Sequence, residues 1–421
     1  MSLRQHPDRL ELAQELHSRP HPELSSPCAV SHLALITPAD GDGLLGAITA
    51  LCRRYGAAPP HQERHHAVTL GAYRLRWERH TEFVSLTIKQ EGDAVGFKRP
   101  PVELLPEDWL ARLDGELIAA THVVVEPVTD REGPDIAAIE RLFEGQRVVG
   151  GKVLGGAAEA FTAFRNAGDG FGRFYVRDHG MSRGRTGRLV QRLCEVETYR
   201  MMALLGLPIA KATSPQLSAL ETRLVELVAQ LGATADLEEK QDLLNELFAV
   251  AQESERLVTQ CAYRFSATAA YGRLVSDRLH DLRESRLEDF QPIAEFLDRR
   301  FEPALRTCAS VAERQESLSR RIARTADLAR TRVDVSLQKQ NRALLASMER
   351  RARVQLRLQE TVEGLSVVAI SYYALGILGY LLGGVVEADT LKFAVSATAP
   401  VLLAVIWFVL RRWRAQLTKE G

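Results

Sequence analysis

The feature that most constrains this chain is a pair of uncharged runs close to its C-terminus. The first, Leu365 to Val386, contains 22 residues without a charge and would cover roughly 33 Å as a helix. The second, Phe393 to Leu410, contains 18 such residues. Because these lengths approach the thickness of a bilayer core, the pattern predicts two transmembrane helices, 365–386 and 393–410, joined as a hairpin. The alternative is two buried helices of a soluble core.

The charges around the two runs predict an orientation. A basic segment precedes the first run, from Glu349 to Arg357, and the tail at 411–421 is also basic. The short connection between the runs carries Glu387 and Asp389. Since basic flanks stay on the cytoplasmic side, both ends of the chain are expected in the cytoplasm and the connection outside.

The segment that leads into the first run predicts one very long helix. No proline or glycine lies between Pro303 and Gly364, and helix-forming residues dominate. Its apolar residues recur at helical spacing, among them Leu344, Met348 and Leu356. Such a helix needs neighbours along its apolar stripe, supplied by earlier helices or by copies of itself in a coiled coil. Further helices are expected from Arg188 onward, with bends or breaks at Gly272 and Pro292.

The N-terminal part has a different pattern. Short runs rich in β-branched and aromatic residues, such as Ala29 to Ile36, Tyr73 to Trp77 and Phe83 to Ile88, predict strands separated by short helices. The predicted fold class is therefore α+β. An N-terminal α/β domain with a mixed sheet occupies 1–180, a helical stalk region 181–363, the two transmembrane helices 364–410, and a basic cytoplasmic tail 411–421.

Composition limits the partners. Lys and Arg total 54 and Asp and Glu total 54, so no net positive field favours nucleic acid. The five cysteines are scattered and never form a Cys-x-x-Cys pair, which argues against a disulfide framework or a zinc knuckle.

Motifs for catalysis are absent from the sequence. His80 and Glu82 could share one strand face as an acid/base or metal pair, but the sequence favours a surface or turn pair. The glycines from Gly150 to Gly156 lack the order of a phosphate-binding loop. No nucleophile elbow and no His-Glu-x-x-His motif occurs. The sequence therefore predicts a protein without enzymatic activity and without a cofactor, apart from a divalent cation as a transported ion.

Two resemblances follow from this layout. An α/β front, a long helix and two terminal spans resemble the CorA superfamily of divalent-cation channels, which implies a homopentamer with first spans around a pore. The Gly-Met-Asn signature of that superfamily is replaced here by Tyr380 to Val386. Segments such as Gly187 to Leu193, Glu197 to Met202 and Leu358 to Ser366 are similar to a bacterial family of membrane-anchored proteins known only as a domain of unknown function. That similarity implies an inner-membrane location.

Residues of the first run supply the candidate site. Gly376, Gly379 and Gly383 share one helix face and predict close packing against another helix. The expected lining of a pore is Ser366, Tyr373, Gly376, Ile377 and Tyr380, with Glu387 and Asp389 gathering cations at its outer mouth.

Three functions follow from this set of expectations. The first is an oligomeric cation channel in the bacterial inner membrane, with the lipid bilayer and copies of itself as partners and no nucleic acid. The second is a membrane-anchored interaction or regulatory protein. The third is a membrane-tethered enzyme, which would need a pocket that joins His80, Glu82 and a second polar cluster.

Overall fold

The structure is a computed structural model that describes residues 6–9, 23–37, 42–60, 65–92, 96–128, 135–234, 236–382, 396–401, 403–409 and 412. It divides into two compact units. One comprises Met1–Gly232 and Asn245–Ala326, and the other comprises Ala233–Leu244 and Asp327–Gly421.

A nine-stranded mixed sheet forms the centre of the first unit. The strands are β1 Cys28–Ile36, β2 His65–Leu70, β3 Tyr73–Arg79, β4 Val84–Glu91, β5 Glu116–Pro127, β6 Val149–Val153, β7 Ala158–Thr162, β8 Gly172–Asp178 and β9 Ser285–Arg286. Their order in the sheet is β2-β3-β4-β1-β5-β8-β7-β6-β9. The pair β5 and β8 is parallel, and the other pairs are antiparallel.

Eight α-helices have both of their ends among the described residues. They are α1 Asp42–Arg54, α2 Glu107–Leu110, α3 Ile136–Leu142, α4 Arg183–Leu204, α5 Gly206–Ala233, α6 Leu237–Leu282, α7 Ile293–Arg300 and α8 Glu302–Leu382. Residues Pro101–Leu104 form a short 3-10 helix. The protein therefore has the α+β class, with long helices after the sheet.

The two faces of the sheet pack against different helices. On one face, Leu75, Trp77 and Leu86 pack with Leu44 and Ile48 of α1. On the other face, Val30, Val123 and Phe174 pack with Leu189 and Leu193 of α4. The alternation of side chains along each strand sends successive residues to these two layers.

Gly272 does not break a helix, although the sequence predicts a break there. It lies inside α6, where an added Cβ would meet Leu305 Cδ1 of α8 at 2.7 Å. The glycine therefore permits close approach of two helices rather than a bend. Pro292, in contrast, does lie at a helix boundary, as the residue before α7.

The prediction of a transmembrane hairpin is wrong. Among the residues that the structure describes, no helix has both the length and the apolar character needed to cross a membrane. From Leu365 to the end of α8 at Leu382 there are 18 residues, or roughly 27 Å of helix, and five of them carry hydroxyl groups. The prediction relied on the absence of charged residues, but an uncharged residue is not necessarily apolar. Of the second predicted span, the structure describes only residues 396–401 and 403–409.

The expectations that depended on the transmembrane hairpin are wrong as well. The CorA-like architecture, the pore formed by first spans, the inner-membrane location and the membrane-anchored alternatives all required a spanning helix, and the described residues contain none.

Candidate functional site

A layer of polar side chains lies on the β3–β4 hairpin, on the face opposite α1. In β3, Arg76 and Glu78 alternate with the buried residues Leu75 and Trp77. The register pairs Arg76 with Thr87 and Glu78 with Ser85 of β4, so these four side chains share one face. Lys89 follows on the same face of β4, because it lies two residues after Thr87.

Helix α4 covers this polar layer. Its residues Gln191, Cys194, Glu195, Thr198 and Tyr199 recur at helical spacing, and together with the strand residues they line a cavity of about 230 Å³. Arg278 of α6 closes one side. We call this cavity the sheet–helix pocket. A pocket between a sheet and a helix that is lined by charged groups is the feature of this fold that most suggests ligand binding.

His32 of β1 joins the sheet to the helix at the base of the pocket. Its Nδ1 lies 2.9 Å from Thr87 Oγ1, and its Nε2 lies 3.1 Å from Thr198 Oγ1. The pKa of His32 is lowered to about 3, mainly by burial and to a smaller extent by His80 and Arg76. The imidazole is therefore neutral at pH 7 and serves as a hydrogen-bonded bridge.

Two ion pairs account for four of the charges in the pocket. Arg76 Nη2 donates to Glu78 Oε1 at 2.7 Å, and both side chains are largely buried. Arg278 pairs with Glu195, which also accepts a hydrogen bond of 2.7 Å from the Gln191 amide. Each carboxylate in the pocket thus already has an arginine partner.

Lys89 supplies the remaining charge. Its ammonium makes no hydrogen bond or ion pair with any residue that the structure describes. The pKa of Lys89 is lowered to about 8, mainly by burial and also by Arg76, while Glu78 acts in the opposite direction. The lining therefore has three fixed basic side chains against two acidic ones, which leaves one excess positive charge for an incoming ligand.

Cys194 is not a reactive thiol in this setting. Burial raises its pKa to about 12, and the neighbouring Glu195 carboxylate adds to the rise. Since the thiolate is the nucleophilic form, Cys194 contributes packing and a protonated thiol rather than chemistry.

The predicted pair His80 and Glu82 is separated. His80 lines the sheet–helix pocket, where its ring stacks on Phe83 at a centroid distance of 4.2 Å. Glu82 instead pairs with Arg264 of α6 and is not part of the pocket lining. The acid/base pair that a strand face would have created does not form, because β3 ends at Arg79 and the two residues lie in the turn that follows.

The residues predicted to line a pore lie on α8 in the second unit, and none of them is among the lining residues of a described pocket. Tyr373, Ile377 and Tyr380 are exposed, and Ser366 Oγ donates to the Val362 carbonyl at 2.8 Å. An added Cβ at Gly376 would meet nothing within 4 Å. The surroundings of Gly379 are not described, and Gly383, Glu387 and Asp389 lie outside the described residues.

A second cluster has the composition of a catalytic triad. Ser31 Oγ lies 2.9 Å from His122 Nδ1, and Asp169 Oδ2 lies 3.8 Å from His122 Nε2. However, Ser31 has no exposed surface, and its oxygen already accepts the Val102 N–H at 3.0 Å. A substrate cannot reach this hydroxyl, so the cluster stabilises the sheet. The described part of the chain also contains no group of three or more His, Cys, Asp or Glu residues suited to a metal ion.

The fold and the pocket define an α+β protein with a charged cavity between a mixed sheet and a covering helix. A family model described as "Protein of unknown function (DUF3422)" matches residues 4–417, and the chain belongs to this family. No curated protein matches the chain.

Proposed function

We propose that this protein binds a small organic anion with a single negative charge in the sheet–helix pocket, as a binding protein rather than an enzyme. The observation that carries the proposal is Lys89, a cation without a carboxylate partner among the described residues, which faces a cavity with one excess positive charge. Burying such a charge costs free energy unless an anion compensates it.

The size of the pocket supports a small ligand. Its volume of about 230 Å³ corresponds to roughly eight water molecules at about 30 Å³ each. A monocarboxylate with about six to eight non-hydrogen atoms fits this space, whereas drug-sized ligands need roughly 300 Å³ or more.

Isothermal titration with sodium lactate tests the proposal. We expect one saturable site in the wild-type protein and a loss of affinity of tenfold or more in Lys89→Met, since one charge-assisted contact is worth about 1.5 to 3 kcal/mol. Arg74→Gln is the matched control. Arg74 pairs with Lys89 in the strand register but is exposed and lies outside the pocket lining. Equal weakening in both variants would contradict a specific site.

A different observation favours self-association of the second unit, and we propose that α8 pairs with α8 of a second copy. Leu337, Leu344, Leu358 and Leu365 are spaced in multiples of seven, and Met348 and Val362 each lie four residues after one of these leucines. All six are exposed. This is the a/d pattern of a coiled coil, with leucine at four d positions and polar residues at three other seam positions, Asn341 and Gln355 at a and Arg351 at d.

The exposed area suits a second copy. Six seam side chains and the flanking Leu345 and Val354 offer on the order of 650 Å² at roughly 80 Å² each. A stable interface needs about 800 Å² from each partner, so the helix supplies most of that area by itself.

Sedimentation velocity tests this proposal. We expect an oligomer for the wild-type protein and a monomer for the double variant Leu344→Glu, Leu358→Glu. Leu356→Glu is the control, because Leu356 is equally exposed but points away from the seam. A wild-type monomer, or dissociation by the control substitution, would rule out pairing through this face.

A further inference from the structure

Lys89 combines features that distinguish a nucleophilic amine from a simple anion-binding group. It lines an accessible cavity, has no carboxylate within ion-pair distance among the described residues, and shares a sheet face with the Arg76 guanidinium. Lysines that are desolvated or placed beside another cation are those that react with carbonyl compounds.

We propose that Lys89 forms an imine with the carbonyl group of a small 2-oxo monocarboxylate held in the sheet–helix pocket. The proposal rests on the proposed function, because the same pocket must first accept the monoanion.

The reaction balances without an oxidant or a reductant. The neutral Nζ of Lys89 donates its electron pair to the carbonyl carbon and forms a carbinolamine. The carbon–oxygen single bond then breaks, and the oxygen leaves as water. One of the two protons of this water comes from the amine, and the other is the proton that the Lys89 ammonium had released to solvent and that solvent returns. The product is a protonated imine, which keeps the single positive charge of the lysine. The charge balance of the pocket is therefore the same before and after the bond forms.

Burial favours the neutral, reactive form of Lys89. Arg76 and Arg74 of β3 also oppose its positive charge, whereas Glu78 and Cys194 favour that charge. Arg278 of α6 and Glu195 line the same pocket and are paired with each other. The other titratable groups of the lining are His32, His80 and Cys194. His32 remains neutral because burial lowers its pKa to about 3. With its own pKa near 8, Lys89 is neutral in about a tenth of molecules at pH 7, against well under a thousandth for an ordinary lysine.

Arg76, in the pocket lining, can bind the carboxylate of the ligand. Of the five N–H donors of Arg76, only one on Nη2 is engaged with another described side chain, that of Glu78. The other donors remain for a carboxylate beside the imine. The protonated Cys194 thiol does not compete with Lys89 as a nucleophile.

Borohydride trapping with pyruvate tests the proposal, with lactate as a ligand of similar size and charge that has no carbonyl. Sodium borohydride adds hydride to the imine carbon and fixes the adduct as a secondary amine. We expect mass spectrometry of peptides to find one reduced adduct on Lys89, on the order of tenfold or more above any other lysine at pH 7. The adduct yield should rise between pH 7 and pH 9 as the amine loses its proton. Lactate should give no adduct and should compete with pyruvate.

Two variants separate the imine from the binding site. Lys89→Arg keeps the charge and should still bind lactate, but it should lose the adduct. Arg74→Gln should still bind lactate, and its adduct yield at pH 7 should decrease without being lost, because removal of the Arg74 charge lets the pKa of Lys89 rise. Lactate binding with no pyruvate adduct on Lys89, or adducts spread evenly over the lysines, would overturn the imine and leave the anion site intact. Absence of lactate binding in the wild-type protein would overturn the proposed function itself.

Discussion

The two faces of the β3–β4 hairpin are built from the same strands and are both covered by helices, yet they differ in chemistry. The face toward α1 carries Leu75, Trp77 and Leu86, which are almost fully buried. The face toward α4 carries Arg76, Lys89 and neighbouring polar groups around a cavity. An apolar face stabilises a fold by burial alone, whereas a covered polar face must satisfy each of its groups. Stability therefore accounts for the apolar face, and ligand binding is the better account of the polar face.

The largest expected effect is on the apolar face. Trp77→Ala removes a side chain that is 2% exposed and leaves a cavity in the core that α1 covers. We expect the free energy of unfolding to fall by about 3 to 5 kcal/mol, measured by denaturant unfolding. Trp77→Phe, which keeps most of the apolar volume, should cost markedly less. A loss below about 1 kcal/mol for Trp77→Ala would show that this face is not the stabilising one.

A smaller loss is expected at the base of the polar face. His32→Leu leaves the hydroxyls of Thr87 and Thr198 without their imidazole partner, and Thr198 is buried. We expect a decrease of roughly 2 to 4 kcal/mol in the free energy of unfolding. Thr198→Val, which removes only one of the two contacts, should cost less than His32→Leu. The reverse order would contradict the bridging role of His32.

Lys89→Met should increase the free energy of unfolding, unlike the two substitutions above. The pKa of Lys89 is about 8 in the folded protein and near 10.5 in the unfolded chain. Between these two pH values the unfolded chain binds more protons than the folded protein, so the free energy of unfolding rises with pH from about 8 to about 10.5. Below pH 8 the buried Lys89 ammonium lowers the free energy of unfolding by its full amount. We expect the variant to be more stable at pH 7 by about 1 to 3 kcal/mol and to converge with wild type near pH 10.5. A lower stability at pH 7 would mean that Lys89 has a stabilising partner.

The smallest effect is expected just outside the pocket. Arg74→Gln removes an exposed charge beside Lys89. We expect a change within about 0.5 kcal/mol in the free energy of unfolding, as for most surface substitutions. A change above about 1 kcal/mol would show that the polar layer extends beyond the cavity.

Much of the sheet could be predicted from the sequence, because strands such as Tyr73 to Trp77 alternate apolar and polar residues at a period of two. The short strand Ser285–Arg286 was missed, since two exposed polar residues carry no such pattern. The pocket was missed for a related reason. The alternation in Arg74 to Glu78 is typical of a strand with one face in water, and only the tertiary position of α4 shows that this face is covered. No local signal in the sequence records that contact.

The C-terminal part shows the opposite error, in which a local signal was given too much weight. Absence of charge from Leu365 to Val386 indicated a membrane span, although Ser371, Tyr372 and Tyr373 lie within it. Among the described residues of this region, the exposed apolar side chains of α8 are the observation that needs an explanation. The proposed pairing of this helix with a second copy would cover the part of that surface around Leu344 and Leu358.

Calorimetric titration of lactate into the wild-type protein, Lys89→Met and Arg74→Gln tests the central claim most directly, because it asks whether the polar face holds an anion. The account predicts one saturable site in the wild-type protein, an unchanged site in Arg74→Gln, and an affinity lower by tenfold or more in Lys89→Met. No binding in the wild-type protein, or equal binding in all three, would contradict it.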